Sequence, residues 1–128
     1  MITAMHALIY SDDAPATRAF FRDVVGFAFV RDGDLEPPWL IFATGPSEVG
    51  VHPTHSEWEG ETYESPRRHT VSFMCDDIEA TRADLERRGA TFSSPVLEES
   101  FGRMTMLDVP GADPIMLYQP THELAYPL

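Results

Sequence analysis

The 128-residue sequence contains no lysine and a single cysteine, Cys75. One cysteine excludes an intrachain disulfide and suits a reducing compartment. No stretch approaches the roughly 20 apolar residues of a membrane span. The opening MITAMHALIY lacks the basic start and long apolar run of a signal peptide. The expectation is a cytoplasmic protein with no membrane partner. Basic charge is scarce as well: nine arginines stand against 21 acidic residues, a net charge of −12. Such a surface repels phosphate backbones, which argues against nucleic acid as a partner. The acidity serves solubility and assigns no mechanism.

What the sequence does have is an internal repeat. Asp12-Asp13-Ala14-Pro15-Ala16-Thr17-Arg18-Ala19 recurs 64 residues later as Asp76-Asp77-Ile78-Glu79-Ala80-Thr81-Arg82-Ala83, with six of eight positions identical. The flanks agree. Each copy follows a β-like run, ends near a glycine (Gly26 or Gly89) and leads into an aromatic-containing run. In the first copy Asp12 or Asp13 can cap a helix, with Pro15 in its first turn. Ala16, Phe20 and Val24 share one face, and Gly26 can stop the helix. In the second, Asp76 and Glu79 have capping-box spacing. Ile78, Thr81 and Leu85 form the inward stripe, and Arg82, Glu86, Arg87 and Arg88 face out.

Strand signals fill the rest. His6 to Ser11 and Thr70 to Cys75 precede the helices. Phe27 to Arg31, Trp39 to Ala43 and Val49 to Pro53 follow the first. Thr91 to Phe92 with Val96 to Leu97, Arg103 to Val109 and Ile115 to Gln119 follow the second. Gly45-Pro46 and Pro110-Gly111 are strong breakers. Three strands after one helix on short turns must include hairpins, because parallel crossovers need about a dozen residues or more. The expectation is an α+β fold: two tandem βαβββ modules forming curled, mostly antiparallel sheets. They make one domain over residues 1–128, with module one about 1–53, a linker or lid about 54–67, and module two about 68–128. A ferredoxin-like sandwich leaves several strand signals unused.

The ordered set of segments resembles the vicinal-oxygen-chelate superfamily of glyoxalase I, extradiol dioxygenases and bleomycin-resistance proteins. The segments are His6-Ala-Leu-Ile-Tyr-Ser-Asp12-Asp13, Phe20-Phe21-Arg-Asp-Val-Val-Gly26-Phe27 and Asp108-Val-Pro-Gly111-Ala-Asp-Pro-Ile-Met116-Leu-Tyr118, and the resemblance covers nearly the whole chain. It implies a cavity enclosed by the curled sheets. In metal-using members it also implies one ligand on the first and one on the last strand of each module. Nitrogen and carboxylate ligands of that kind suit Zn, Ni, Mn or Fe.

Tested position by position, the chain departs from that pattern. His6 and Glu48 match the ligand positions of module one. His69 stands near the third position but one residue out of step: it lies seven residues before Asp76, whereas His6 lies six before Asp12. Thr70 therefore falls opposite His6, and a one-residue slip turns a side chain to the other face. On that register Thr70, Ser72 and Met74 face the cavity, while Val71, Phe73 and Cys75 pack beneath the second helix. Met116 occupies the fourth position, and a thioether is a poor ligand for these metals. His52 shares a face with Glu48. His52 and His55 could bind a metal with Glu57, but they flank Pro53 in an irregular loop, which favours solvated side chains.

The remaining cavity candidates are apolar and aromatic: Tyr10, Met74, Met104, Met106, Met116 and Tyr118, with Phe101 and Trp39 at the edge. Methionine and aromatic linings suit planar or flexible apolar ligands. Trp58 and Tyr63 of the linker can close over such a cavity. Three functions stay open. One is a small-molecule-binding protein without a confident cofactor, its ligand held by Tyr10, His52, Thr70, Met74, Phe101, Met104, Met116 and Tyr118. The second is a lyase, isomerase or dioxygenase using a divalent metal on His6, Glu48 and His52 or His69. The third is a protein-interaction module. The resemblance further implies a homodimer.

Overall fold

The computed structural model describes residues 4, 6–34, 36 and 38–128. Two short helices begin in the same way. In α1 (Ala14–Phe20) the Asp13 carboxylate accepts from the Ala16 N–H at 3.1 Å. In α2 (Ile78–Arg87) the Asp77 carboxylate accepts from the Ala80 N–H at 3.0 Å. The cap is therefore the second aspartate of each pair, and each satisfies one orphan donor of the first turn. The expected Asp76/Glu79 capping box does not form, since Glu79 instead pairs with Arg103 of the sheet below.

The two copies then diverge by one residue. Twelve steps separate Ala14 from Gly26, but eleven separate Ile78 from Gly89. The extra residue is absorbed as a π-helical turn, Phe21–Val25, directly after α1. The Gly26 N–H bonds the Phe21 carbonyl at 3.0 Å, and Gly26 leaves the helix in the left-handed region at φ 83°. The buried residues are Thr17, Phe20 and Phe21; of the expected stripe, Phe20 is buried and Val24 packs half-buried against the core, while Ala16 is half-buried outside that cluster.

The strands are β1 (Phe29–Asp32), β2 (Trp39–Phe42), β3 (His55–Trp58), β4 (Glu61–Glu64), β5 (Ser72–Met74), β6 (Leu97–Glu99), β7 (Gly102–Leu107) and β8 (Ile115–Pro120). β1 and β2 form an antiparallel pair, as do β3 and β4. The third sheet has the order β5-β8-β7-β6, with β5 parallel to β8 and the other pairs antiparallel. The architecture is α+β, as the sequence implies. The second βαβββ unit is complete. The first shows two of its expected strands among the described residues: His6 to Ser11 and Val49 to Pro53 are not in strands. The segment expected as linker carries the β3–β4 hairpin. Its tight turn uses Glu59 and Gly60, both at positive φ, the geometry that suits right-twisted hairpins.

One core joins the halves. Phe20 and Phe21 pack with Leu85, Ala90, Leu107, Val109, Ile115 and Leu117, and with the half-buried Phe27, Phe42, Phe73 and Cys75. Polar contacts tie the same seam. The Thr17 hydroxyl donates to the Pro110 carbonyl, the Asp12 N–H bonds the Gly111 carbonyl at 2.7 Å, and Arg88 donates to the Val24 carbonyl at 3.0 Å. Arg82 also turns inward, against the helical pattern. Its guanidinium donates to the Ser94 carbonyl and to the hydroxyl of fully buried Thr105, and it lies 4.7 Å over the Phe92 ring. A long side chain can reach a buried acceptor from a position that periodicity assigns to solvent.

Candidate functional site

Strand alternation sorts the four-stranded sheet into two faces. Phe73, Thr105, Leu107, Ile115 and Leu117 lie on the side that carries α2, where the Gln119 side chain also accepts the Ile78 N–H at 3.0 Å. Ser72, Met74, Met104, Met106, Met116 and Tyr118 alternate with them and so occupy the opposite face, where all are half-buried. Register aligns them into two rows. Met74 pairs with Tyr118, Tyr118 with Met104 and Met104 with Leu97, a line across all four strands. Ser72, Met116 and Met106 form the row beside it. Side chains directly opposite sit about 5 Å apart at Cβ, so each row is a continuous strip. Phe101 extends the first row, its ring edge-on to Tyr118 at 5.6 Å.

One end of this face is polar. The Tyr118 hydroxyl is 3.3 Å from His122 Nε2. His122 Nδ1 lies 2.8 Å from the Glu123 carbonyl, so Nδ1 carries the proton and Nε2 accepts from the tyrosine in the neutral ring. Glu48 Oε1 is 3.7 Å from the same Nε2. Burial, and secondarily the Glu48 charge, pushes the Tyr118 hydroxyl above its ordinary pKa. Glu48 Oε2 accepts the backbone N–H groups of Ala125 at 2.8 Å and Tyr126 at 3.3 Å.

The candidates named from sequence thus fall into two groups. Met74, Met104, Met116, Tyr118 and Phe101 come together, with Glu48 at their polar end. Tyr10 is 88% exposed. It borders a polar hollow of about 360 Å³ with Asp12, Gly111, Ala112 and Asp113, at the β7–β8 turn, while His122 follows the other end of that hairpin. His6, His69 and Thr70 are exposed. His52 Nδ1 bonds the neighbouring Pro53 carbonyl at 2.7 Å, and His55 pairs with Glu64 across the β3–β4 hairpin at 2.8 Å. Trp39 stacks under Arg18, whose guanidinium sits 4.7 Å from the ring centroid. Cys75 packs at the core edge, its thiol raised in pKa first by burial.

Among the described residues, no three His, Cys, Asp or Glu side chains group as metal ligands do. The donors present do not fit a four-ligand centre. One Glu48 oxygen, Oε2, is taken by two backbone N–H groups, and the fourth position offers the Met116 thioether, a poor ligand for these metals. The sequence reading missed His122. It follows β8 in a stretch without strand or helix periodicity, and nothing local marks it as a partner of Glu48.

A family model described as the Glyoxalase/Bleomycin resistance protein/Dioxygenase superfamily matches residues 3–114. No curated protein matches the chain. Solved structures share the fold. TnmS3, an antibiotic binding protein from Streptomyces sp. CB03234, is 22% identical over 94% of this chain and 100% of that one, with a TM-score of 0.59. A glyoxalase/bleomycin resistance protein/dioxygenase superfamily member from Sphaerobacter thermophilus DSM 20745 is 19% identical over 92% and 98%, with a TM-score of 0.61. A lactoylglutathione lyase from Agrobacterium tumefaciens is 16% identical over 91% and 92%, with a TM-score of 0.60. At these identities the likeness is one of fold.

Proposed function

This chain belongs to the glyoxalase/bleomycin resistance protein/dioxygenase superfamily, and from that premise we propose that it binds a small apolar or aromatic molecule on the methionine–tyrosine face, without the four-ligand metal site. The observation that carries the reading is the row Met74, Tyr118, Met104 and Leu97, edged by Phe101. Unbranched, polarizable thioethers adapt to the outline of a planar guest and make favourable sulfur–ring contacts. The Tyr118 hydroxyl and His122 supply a hydrogen-bonding end that orients a guest carrying a polar group. The antibiotic-binding neighbour is in keeping with this role. Two ligands of the metal-dependent alternative have other partners: one Glu48 oxygen is engaged by the chain's own backbone, and His52 Nδ1 bonds the Pro53 carbonyl.

Nile red, a neutral planar dye, tests the proposal because its fluorescence rises on entering an apolar site. The wild-type protein is expected to bind it saturably, one dye per chain. Met116→Glu places a carboxylate in the second row and is expected to weaken binding by about tenfold or more, since the charge must be desolvated beneath the dye. Its melting temperature reports that the sheet persists. Equal dye affinity in wild type and a folded Met116→Glu would exclude this face as the site.

A further inference from the structure

We infer that residues 121–126 form a strap, latched by Glu48 at the polar end of the methionine–tyrosine face, which holds a bound ligand in place; the ligand-holding part rests on the binding reading above. The strap is fixed at both ends. At its start the Thr121 N–H bonds the Phe101 carbonyl at 2.9 Å. At its end the successive N–H groups of Ala125 and Tyr126 converge on one oxygen of Glu48. Between these anchors His122 lies against Tyr118, with ring centroids 6.1 Å apart, and Leu124 is half-buried. Both anchors therefore sit beside aromatic residues of the proposed site, Phe101 and Tyr118.

The state of Glu48 points the same way. Its side chain is only 15% exposed, although it extends from an irregular segment between β2 and β3. A carboxylate withdrawn from water needs hydrogen-bond donors, and here the donors come from a segment 77 and 78 residues away. The resemblance assigns this position to metal binding. In this chain the same carboxylate grips the chain itself. A metal chelated by both Glu48 oxygens would have to displace Ala125 and Tyr126 from Oε2.

Amide hydrogen exchange on the ligand-free protein tests the latch. The Ala125 and Tyr126 amides are expected to be protected in wild type. They should exchange about tenfold faster or more in Glu48→Ala, the scale of losing hydrogen bonds to a charged acceptor. Glu48→Gln keeps an acceptor oxygen and should retain part of the protection. If Glu48→Ala fails to fold, Ala125→Pro removes one donor from the strap itself and should release the Tyr126 amide. Zn²⁺ or Ni²⁺ added to wild type should leave both amides protected. Unchanged exchange in the folded variants would overturn the latch, and deprotection of the wild-type amides by metal would overturn the metal-free reading of Glu48. The ligand-holding part predicts that Nile red dissociates about tenfold faster from Glu48→Ala and Ala125→Pro, with association nearly unchanged. Faster exchange without faster dissociation would overturn that part. Failure of wild type to bind the dye would sink the binding reading and the ligand-holding part with it, while the exchange result on the latch would stand.

Discussion

Phe21→Ala is expected to cost about 3–5 kcal/mol of stability, with both repeats melting in a single transition. Phe21 is 6% exposed and belongs to the π-helical turn of the first repeat. Its ring meets those of Phe20 at 5.8 Å, Phe42 at 5.7 Å and Phe27 at 6.0 Å. It also meets Phe73, on β5 of the second repeat, edge-on at 6.1 Å. Truncation removes the apolar transfer term and leaves a cavity bounded by aromatic rings, which cannot all shift inward together. Because the lost contacts span both repeats, neither should melt ahead of the other. For a chain of this size the loss corresponds to roughly 10–20 °C in Tm. Circular dichroism in the far and near ultraviolet checks it. Two separated transitions, or a loss below about 1 kcal/mol, would contradict the shared core.

Gly102→Ala is expected to destabilise the chain by about 2–5 kcal/mol, through strain and overlap rather than a lost contact. Gly102 opens β7 at φ 153°, where it faces Pro120 in the β7–β8 register. A Cβ built there would lie 2.2 Å from the Gln119 carbonyl oxygen and 3.0 Å from the Pro120 Cα. Both are backbone atoms, so relief requires the strands to part. The opening would fall where the Thr121 N–H bonds the Phe101 carbonyl. The damage should therefore reach the strap as well as the ladder. Denaturant unfolding measures the loss, and amide exchange at Thr121 locates it. A folded Gly102→Ala protein with wild-type midpoint and Thr121 protection would contradict the close approach.

Features set by neighbouring residues were the ones legible in the sequence. Aspartate capping of both helices was legible because a short carboxylate reaches an amide three residues on; Asp13 was one of the two expected caps of the first copy, but in the second the cap is Asp77 and not the expected Asp76. The strands around α2 alternate cleanly, so the side of Met74, Met104, Met116 and Tyr118 followed from parity. Contacts fixed by distant residues were not legible. Arg82 sits on an outward helical stripe, yet its acceptors are at Ser94 and Thr105. Glu48 has the spacing of a metal ligand, but its partners lie beyond β8. The β3–β4 hairpin was hidden by composition: three of the four residues in each strand are polar or charged, so no apolar alternation announces it. The π-helical turn was written in the sequence as an extra residue before Gly26, a signal visible once the two copies are overlaid by their caps.

The central claim is that this superfamily member holds an apolar ligand on its methionine–tyrosine face without a metal. It is tested most directly by titrating Nile red into tag-free protein stripped with EDTA, before and after adding Zn²⁺, Ni²⁺, Mn²⁺ or Fe²⁺. The account predicts saturable binding by the stripped protein, one dye per chain, with an affinity the metals change by less than about twofold. Binding that appears only after a metal is restored would contradict it.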